Sequence, residues 1–302
     1  MRDRADPASG PCVKFLIVTA DDFGLHEAVN QAVEEACGAG VLTCASLMVG
    51  APAAADAVRR ARALPGLAVG LHLVLADGWP VLPPQRIPSL LEPSGRFADH
   101  MGRAGLRFFA LPSVRRQLEA EIRAQFQAFA DTGLTLDHVN AHKHFHLHPT
   151  VLEMLLRIGA EFGLRAVRLP REPAWVARRA GPFKAAAAGL LSPWLSLMRH
   201  RLRAAGVTHN DQVFGVTDTG SMDEAALLRI LAHLPDGVSE IYLHPATRAP
   251  LTPAMSRYRH REELGALLSA RVRAAVRASG AASGGFRSLI RAQEAPLSPR
   301  AA

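Results

Sequence analysis

Short apolar runs recur along the chain between stretches whose apolar positions fall three and four residues apart, the patterns of buried strands and of amphipathic helices. The runs predict strands at 15–22, 44–50, 68–75, 136–141, 166–170, 212–216 and 240–244. Helices are predicted at 26–37, 52–63, 113–130, 149–162, 223–233 and 261–278. In 113–130, Ser113 stands in the N-cap position after a proline, and Val114, Leu118, Ile122, Phe126 and Phe129 form one apolar stripe. Alternating strands and helices with near-continuous apolar strands predict an α/β fold with a parallel sheet. Seven such strands predict a TIM-like (β/α) barrel, seven-stranded or distorted, with its site at the strands' C-terminal ends; an open doubly wound sheet is the alternative. Two stretches interrupt the rhythm, the Pro- and Gly-rich 76–111 and the basic 174–206, and inserts of such length are often functional. The expected organisation is a disordered tail at 1–13, one barrel domain at 14–290 and a C-terminal tail at 291–302.

Composition narrows the class. At 302 residues, 49% hydrophobic and 21% charged, the chain suits one large globular domain and not a disordered or collagen-like one. Cys12, Cys37 and Cys44 are too few and scattered for a disulfide scaffold, so they are expected as reduced thiols. The polar N-terminus leads into an apolar run at 15–18 that is too short for a signal-peptide core, which predicts a cytoplasmic protein with no membrane span.

The net charge of +8 is concentrated in 174–206, which carries Arg178, Arg179, Lys184, Arg199, Arg201 and Arg203 and no acidic residue. Without interleaved aromatics, zinc-finger spacing or an RNA-binding signature, this does not predict a nucleic-acid partner. The same stretch holds Trp175, Leu190, Leu191, Trp194 and Leu195, expected as lipid contacts if its helix lies in an anionic membrane interface. The alternative is a basic, amphipathic helical hairpin packed on the barrel, and Phe108 and Phe109 in the other insert extend an apolar rim or belong to the core.

The candidate chemistry sits where apolar runs end. Asp21 and Asp22 close the first strand. On a regular strand they would face opposite ways, so a shared site needs the backbone to distort there, which Gly24 permits. His72 interrupts the third strand, His244 ends the last, and 138–148 holds five of the 13 histidines in eleven residues. The chain must turn before His142, His144, His146 and His148 converge, so only one or two can serve one site. A carboxylate and two imidazoles from three strand ends would leave positions on a metal open to water, as hydrolysis requires. A second carboxylate would take the water's proton and a histidine would protonate the leaving nitrogen, roles that fit Asp21 and His244.

These residues carry a resemblance. Leu16-Ile17-Val18-Thr19-Ala20-Asp21-Asp22-Phe23-Gly24, Gly70-Leu71-His72, His142-Lys143-His144-Phe145-His146 and His244-Pro245 together resemble the YdjC-like carbohydrate deacetylases, chitooligosaccharide deacetylases included, over about 14–245. The resemblance implies a barrel that deacetylates N-acetylated amino sugars with one divalent metal ion, zinc or magnesium, with manganese, cobalt and nickel as further candidates. It implies Asp22, His72 and His142 as ligands, Asp21 as general base and His244 as general acid, with Asn140, His144, His146 and Arg168 expected to bind substrate. Asn140 and Lys143 stand where relatives commonly have Asp and His. Asp137 to His146 and Arg168 to Pro173 look most like the branch linked to hopanoid biosynthesis. That implies an N-acetylglucosaminyl hopanoid substrate and peripheral attachment at the cytoplasmic face of the inner membrane. The alternatives are a soluble oligosaccharide substrate or, in another class, a non-catalytic lipid-binding barrel.

Overall fold

A computed structural model describes residues 14–294, apart from residues 100, 101, 103, 104, 107, 109 and 110. Its centre is a parallel sheet in the order β4-β3-β2-β1-β6-β5. The strands are β1 Lys14–Phe23, β2 Cys44–Leu47, β3 Ala68–Leu73, β4 Leu136–Ala141, β5 Gln212–Phe214 and β6 Gly237–Leu243. Because β2 and β6 flank β1, nine of its ten residues are buried, and buried Thr19 satisfies its hydroxyl by donating to Glu240 Oε1 at 2.8 Å.

The outer strands β4 and β5 are joined by the segment 166–171. On one side Val139 N–H donates to Ala166 O at 2.9 Å and Arg168 N–H to Val139 O at 3.1 Å; on the other, Val213 N–H donates to Arg171 O at 2.9 Å. These bonds join the sheet's two edges in a barrel-like α/β wall. The predicted strand 166–170 therefore takes a strand's place without being a regular one. Pro170 has no N–H to give, and the Asn210 side chain occupies both backbone groups of Leu169, at 2.8 Å each. A two-residue strand, β7 Ala282–Ser283, pairs with β1 and was not predicted, being too short to show a pattern.

Outside the wall lie α1 Glu27–Ala39, α2 Ala54–Arg62, α3 Pro112–Asp131, α4 Pro149–Glu161, α5 Ala174–Arg179, α6 Pro182–Ala204, α7 Glu224–Ala232, α8 His260–Leu268, α9 Ala270–Ala278 and α10 Phe286–Glu294. The predicted stripe of α3 is buried, but the helix begins at Pro112, whose missing N–H would have been unpaired in any case, and not under a Ser113 cap. The single helix predicted at 261–278 is two, because Ser269 is extended and its hydroxyl caps α9. α10 runs to Glu294, so no tail begins at 291; residues 1–13 and 295–302 lie outside the described residues.

The basic insert folds as α5 and α6, and it corrects the predicted lipid face. Leu195 is buried, Trp194 donates its indole N–H to Leu147 O at 2.8 Å, and Trp175 packs on Phe214 with ring centroids 6.2 Å apart. These three anchor the insert to the barrel, while Leu190 and Leu191 are exposed with Phe183 and Leu197. In the other insert Phe108 is buried; Phe109 lies outside the described residues.

Candidate metal centre

At the C-terminal end of β1 the strand alternation fails. Asp22 has φ +62° and the β1–β2 register shifts between Ala20 and Phe23, which brings consecutive carboxylates onto one face. Gly24 follows with φ +95°, where a Cβ would sit 3.2 Å from Met48 O and Ala54 Cα. His72 is the penultimate residue of β3, and His142 follows β4. There the chain turns sharply, with Lys143 at φ +53° and His144 at φ +54°. The turn separates the histidine cluster. His142 meets Asp22, His144 meets Tyr242, His146 meets the Arg168 backbone, and His148 lies against Phe108.

Asp22, His72 and His142 are all buried, and their ligand atoms lie within 4.8 Å of one another. Asp22 Oδ1 is 3.0 Å from His142 Nδ1 and 3.3 Å from His72 Nε2. His72 donates its Nδ1 proton to Asn140 Oδ1 at 2.6 Å, an orientation fixed because the Asn140 amide donates to Asp21 and Ser46. His72 Nε2 then points a bare lone pair at a carboxylate oxygen. Two acceptors at that distance repel unless a proton or a cation lies between them. Asp22 Oδ2 is buried without a partner, with His244 Nε2 at 4.0 Å. Burial pushes the Asp22 carboxyl up, but His142 and His72 more than reverse this and hold it well below the usual carboxylate range.

A divalent cation fits this site on three grounds: one oxygen and two nitrogen donors, an orphaned buried oxygen, and the charge. Asp21 and Glu240 share one guanidinium, Arg168, while Asp22 meets only imidazoles, which with neutral rings leaves a formal excess of two negative charges in a buried space. Zinc, magnesium, manganese, cobalt and nickel all suit such donors, so the set does not choose among them.

Asp21 is held at both oxygens. Arg168 Nη1 donates to Oδ2 at 2.5 Å and Nη2 to Oδ1 at 3.0 Å, while Asn140 Nδ2 reaches Oδ1 at 3.0 Å. Arg168 also donates to Glu240 Oε1 at 2.8 Å and lies 4.5 Å from the Tyr242 ring centroid. Burial alone would raise the Asp21 carboxyl; the Arg168 guanidinium outweighs it and keeps the carboxylate ionised.

Three of the four expected substrate contacts are corrected by burial. Asn140, His146 and Arg168 have no exposed surface and face protein partners: Asn140 and Arg168 hold the site, and His146 Nε2 donates to Arg168 O at 3.0 Å. Only His144 remains partly exposed, with Nε2 3.0 Å from the Tyr242 hydroxyl. His244 lies beside Asp22; its backbone N–H donates to Glu263 and its carbonyl accepts from His260, leaving Nδ1 unpaired. Burial lowers its imidazole. Lys143, at the mouth, pairs with Asp77 of the first insert at 2.7 Å.

Sequence reasoning missed Ser46, Glu240, Tyr242 and Glu263. Glu240 carried a signal, a charge inside the apolar run 238–243; a serine within a short apolar strand carries none.

A family model described as YdjC-like protein matches residues 15–278. The chain is 40% identical over 158 residues to a carbohydrate deacetylase of Brevibacillus brevis, covering 51% of this chain and 59% of that protein. It is 35% identical over 162 residues to a chitooligosaccharide deacetylase of Enterobacter sp., covering 53% and 60% respectively. The matches thus span about three fifths of these relatives' length. Among solved structures, a candidate cellobiose-phosphate cleavage protein of Enterococcus faecalis V583 is similar with a TM-score of 0.73 at 25% identity, covering 92% of this chain and 99% of that one.

Proposed function

The chain belongs to the YdjC-like family, and from that premise we propose that it is a metal-dependent hydrolase that removes the acetyl group from an N-acetylglucosamine-type sugar. The observation that carries this reading is the convergence of Asp22, His72 and His142 beside Asp21, a carboxylate kept ionised and fixed in place. The deacetylase names of the relatives support the same class. The fold is then a distorted barrel of seven staves, with 166–171 as the irregular one.

When bound at Asp22, His72 and His142, a divalent cation would lower the pKa of water from about 15.7 towards 7 and polarise the acyl oxygen. Asp21 accepts the proton of the attacking water as its oxygen bonds to the acetyl carbon. Arg168 keeps Asp21 from turning away. His244 protonates the sugar nitrogen as the C–N bond breaks, and the products are acetate and a free amine. A neutral amine leaves where an amide anion would not.

The sugar is carried, on this reading, by a hopanoid lipid met at the cytoplasmic face of the inner membrane. Support comes from α6, where exposed Phe183, Leu190 and Leu197 lie among cations with no acidic residue between 174 and 206. A groove of about 760 Å³ between α5–α6 and the exits of 166–171 and β5, lined by Arg171, Arg178, Lys184 and Leu191, offers room for an apolar body. Among the described residues no helix is long and apolar enough to cross a membrane. The relatives' names favour a second reading, a soluble chitooligosaccharide.

Acetate release from N-acetylglucosaminyl hopanoid in anionic vesicles and from di-N-acetylchitobiose tests both. Expected is turnover of the lipid that stops on chelation, returns with metal, and falls roughly 10²- to 10⁴-fold in Asp21→Asn. Full activity in chelated protein would overturn the reaction. Turnover of the disaccharide alone, unchanged when 174–206 is deleted, would overturn the lipid substrate.

A further inference from the structure

Beneath the metal centre, inside the barrel, a second cluster brings Cys44, Asp137 and His138 within 4.8 Å. Its bonding is that of a hydrogen-bonded column. Asp137 accepts the backbone N–H groups of Phe286 at 3.0 Å and Arg287 at 2.8 Å, at the start of α10. Cys44 Sγ stands 3.8 Å from the same carboxylate, and burial pushes its thiol well up, so it stays neutral. His138 Nδ1 lies 3.0 Å from Asp137 Oδ2, and a carboxylate there requires a proton on Nδ1. With the ring neutral, His138 Nε2 is an acceptor, and Ser46 Oγ–H donates to it at 3.1 Å.

With its only proton committed, Ser46 can offer Asn140 nothing but a lone pair, and Asn140 Nδ2 donates to it at 2.9 Å. The other Nδ2 proton goes to Asp21, and Asn140 Oδ1 accepts from His72 Nδ1. Donation runs in one direction from the ligand His72 through Asn140, Ser46 and His138 to Asp137, which the α10 N–H groups hold from the other side. Reversing it would turn the Asn140 NH₂ towards His72 Nδ1 and drive the His72 proton onto Nε2, the nitrogen a metal needs bare. Asp137 opposes that reversal from the base, as Asp21 does from the site. Asp137, His138 and Ser46 are all buried, so the column meets no competing water at its surface.

We propose that Asp137, His138 and Ser46 are positioning residues that fix the Asn140 amide and the His72 tautomer, and so set metal affinity from the far end of the barrel interior. The inference rests on the reading of Asp22, His72 and His142 as the metal site. Outer hydrogen-bond partners of metal-bound histidines commonly contribute 10- to 100-fold in affinity. Cys44 supplies the control: equally buried and beside Asp137, it lies off the column.

The test is the dissociation constant for zinc alone, by chelator competition, with ¹⁵N NMR of the histidine rings in the metal-free full chain. Expected is at least about tenfold weaker zinc binding in Ser46→Ala and His138→Gln. Cys44→Ala should stay within about twofold, although all three substitutions disturb the same core. Observed above its titration, the neutral wild-type His72 ring should carry its proton on Nδ1, and Ser46→Ala should redistribute it. Wild-type affinity in both column variants, or equal losses in Cys44→Ala, would overturn the column while leaving the metal site intact. A wild-type protein that takes up no zinc would overturn the metal site and the column with it.

Discussion

Arg168, Asn140 and His146 show how a polar side chain in a functional motif can work at one remove from the substrate. Each is fully buried, and together they fix Asp21, His72 and the Arg168 backbone. Burial holds the His146 imidazole down at about 3, below its ordinary 6.5, so the folded state favours the neutral ring. The stability this contributes is complete above pH 6.5 and is lost as pH falls towards 3. His146→Gln retains a donor for Arg168 O and does not titrate. In urea unfolding, wild type is expected to lose roughly 3 kcal/mol more than this variant between pH 7 and pH 4. A difference that does not change with pH would contradict the assignment of a neutral, buried ring. Asp21, Asp22 and His244 were legible because polar residues at the ends of apolar runs stand out, and His72 because it interrupts one. Whether Asn140, His146 and Arg168 faced solvent or core was not legible, since it depends on how 166–171 closes against β4 and on the turn at Lys143 and His144.

At the scale of elements, α6 and the segment 166–171 departed furthest from expectation. α6 is apolar around much of its girth, so the sequence could not tell which apolar side chains face the barrel; packing of Leu195, Met198 and Leu202 decides it. Phe183 and Leu190, at 86% and 87% exposure, are left as the lipid-facing candidates. Phe183→Glu with Leu190→Glu should reduce co-sedimentation with anionic vesicles several-fold while changing unfolding free energy by no more than about 0.5 kcal/mol. Undiminished vesicle binding would remove the argument for a membrane face on this helix. The stretch 166–170 was predicted as a strand from its apolar character, correctly as to place. Its irregularity comes from Pro170 and from the distant Asn210, a partner that no local pattern reveals.

In the whole molecule, the parallel wall brings residues more than a hundred positions apart to one end. Asp22 and His142 meet across 120 residues, and Asp21 and Arg168 across 147. The alternation of strands and helices made the parallel, barrel-like wall legible, but not that its edges are joined through backbone bonds of an irregular segment. The gathering of ligands at the strands' C-terminal ends is the claim on which the chemistry, the column and the substrate all depend. Anomalous diffraction at the zinc edge, from crystals grown with zinc, tests it most directly. A single strong peak is predicted, bonded to Asp22, His72 and His142 at about 2.0–2.2 Å and absent in His72→Ala. A peak held instead by Cys44, Asp137 and His138, or none near Asp22, would contradict the account.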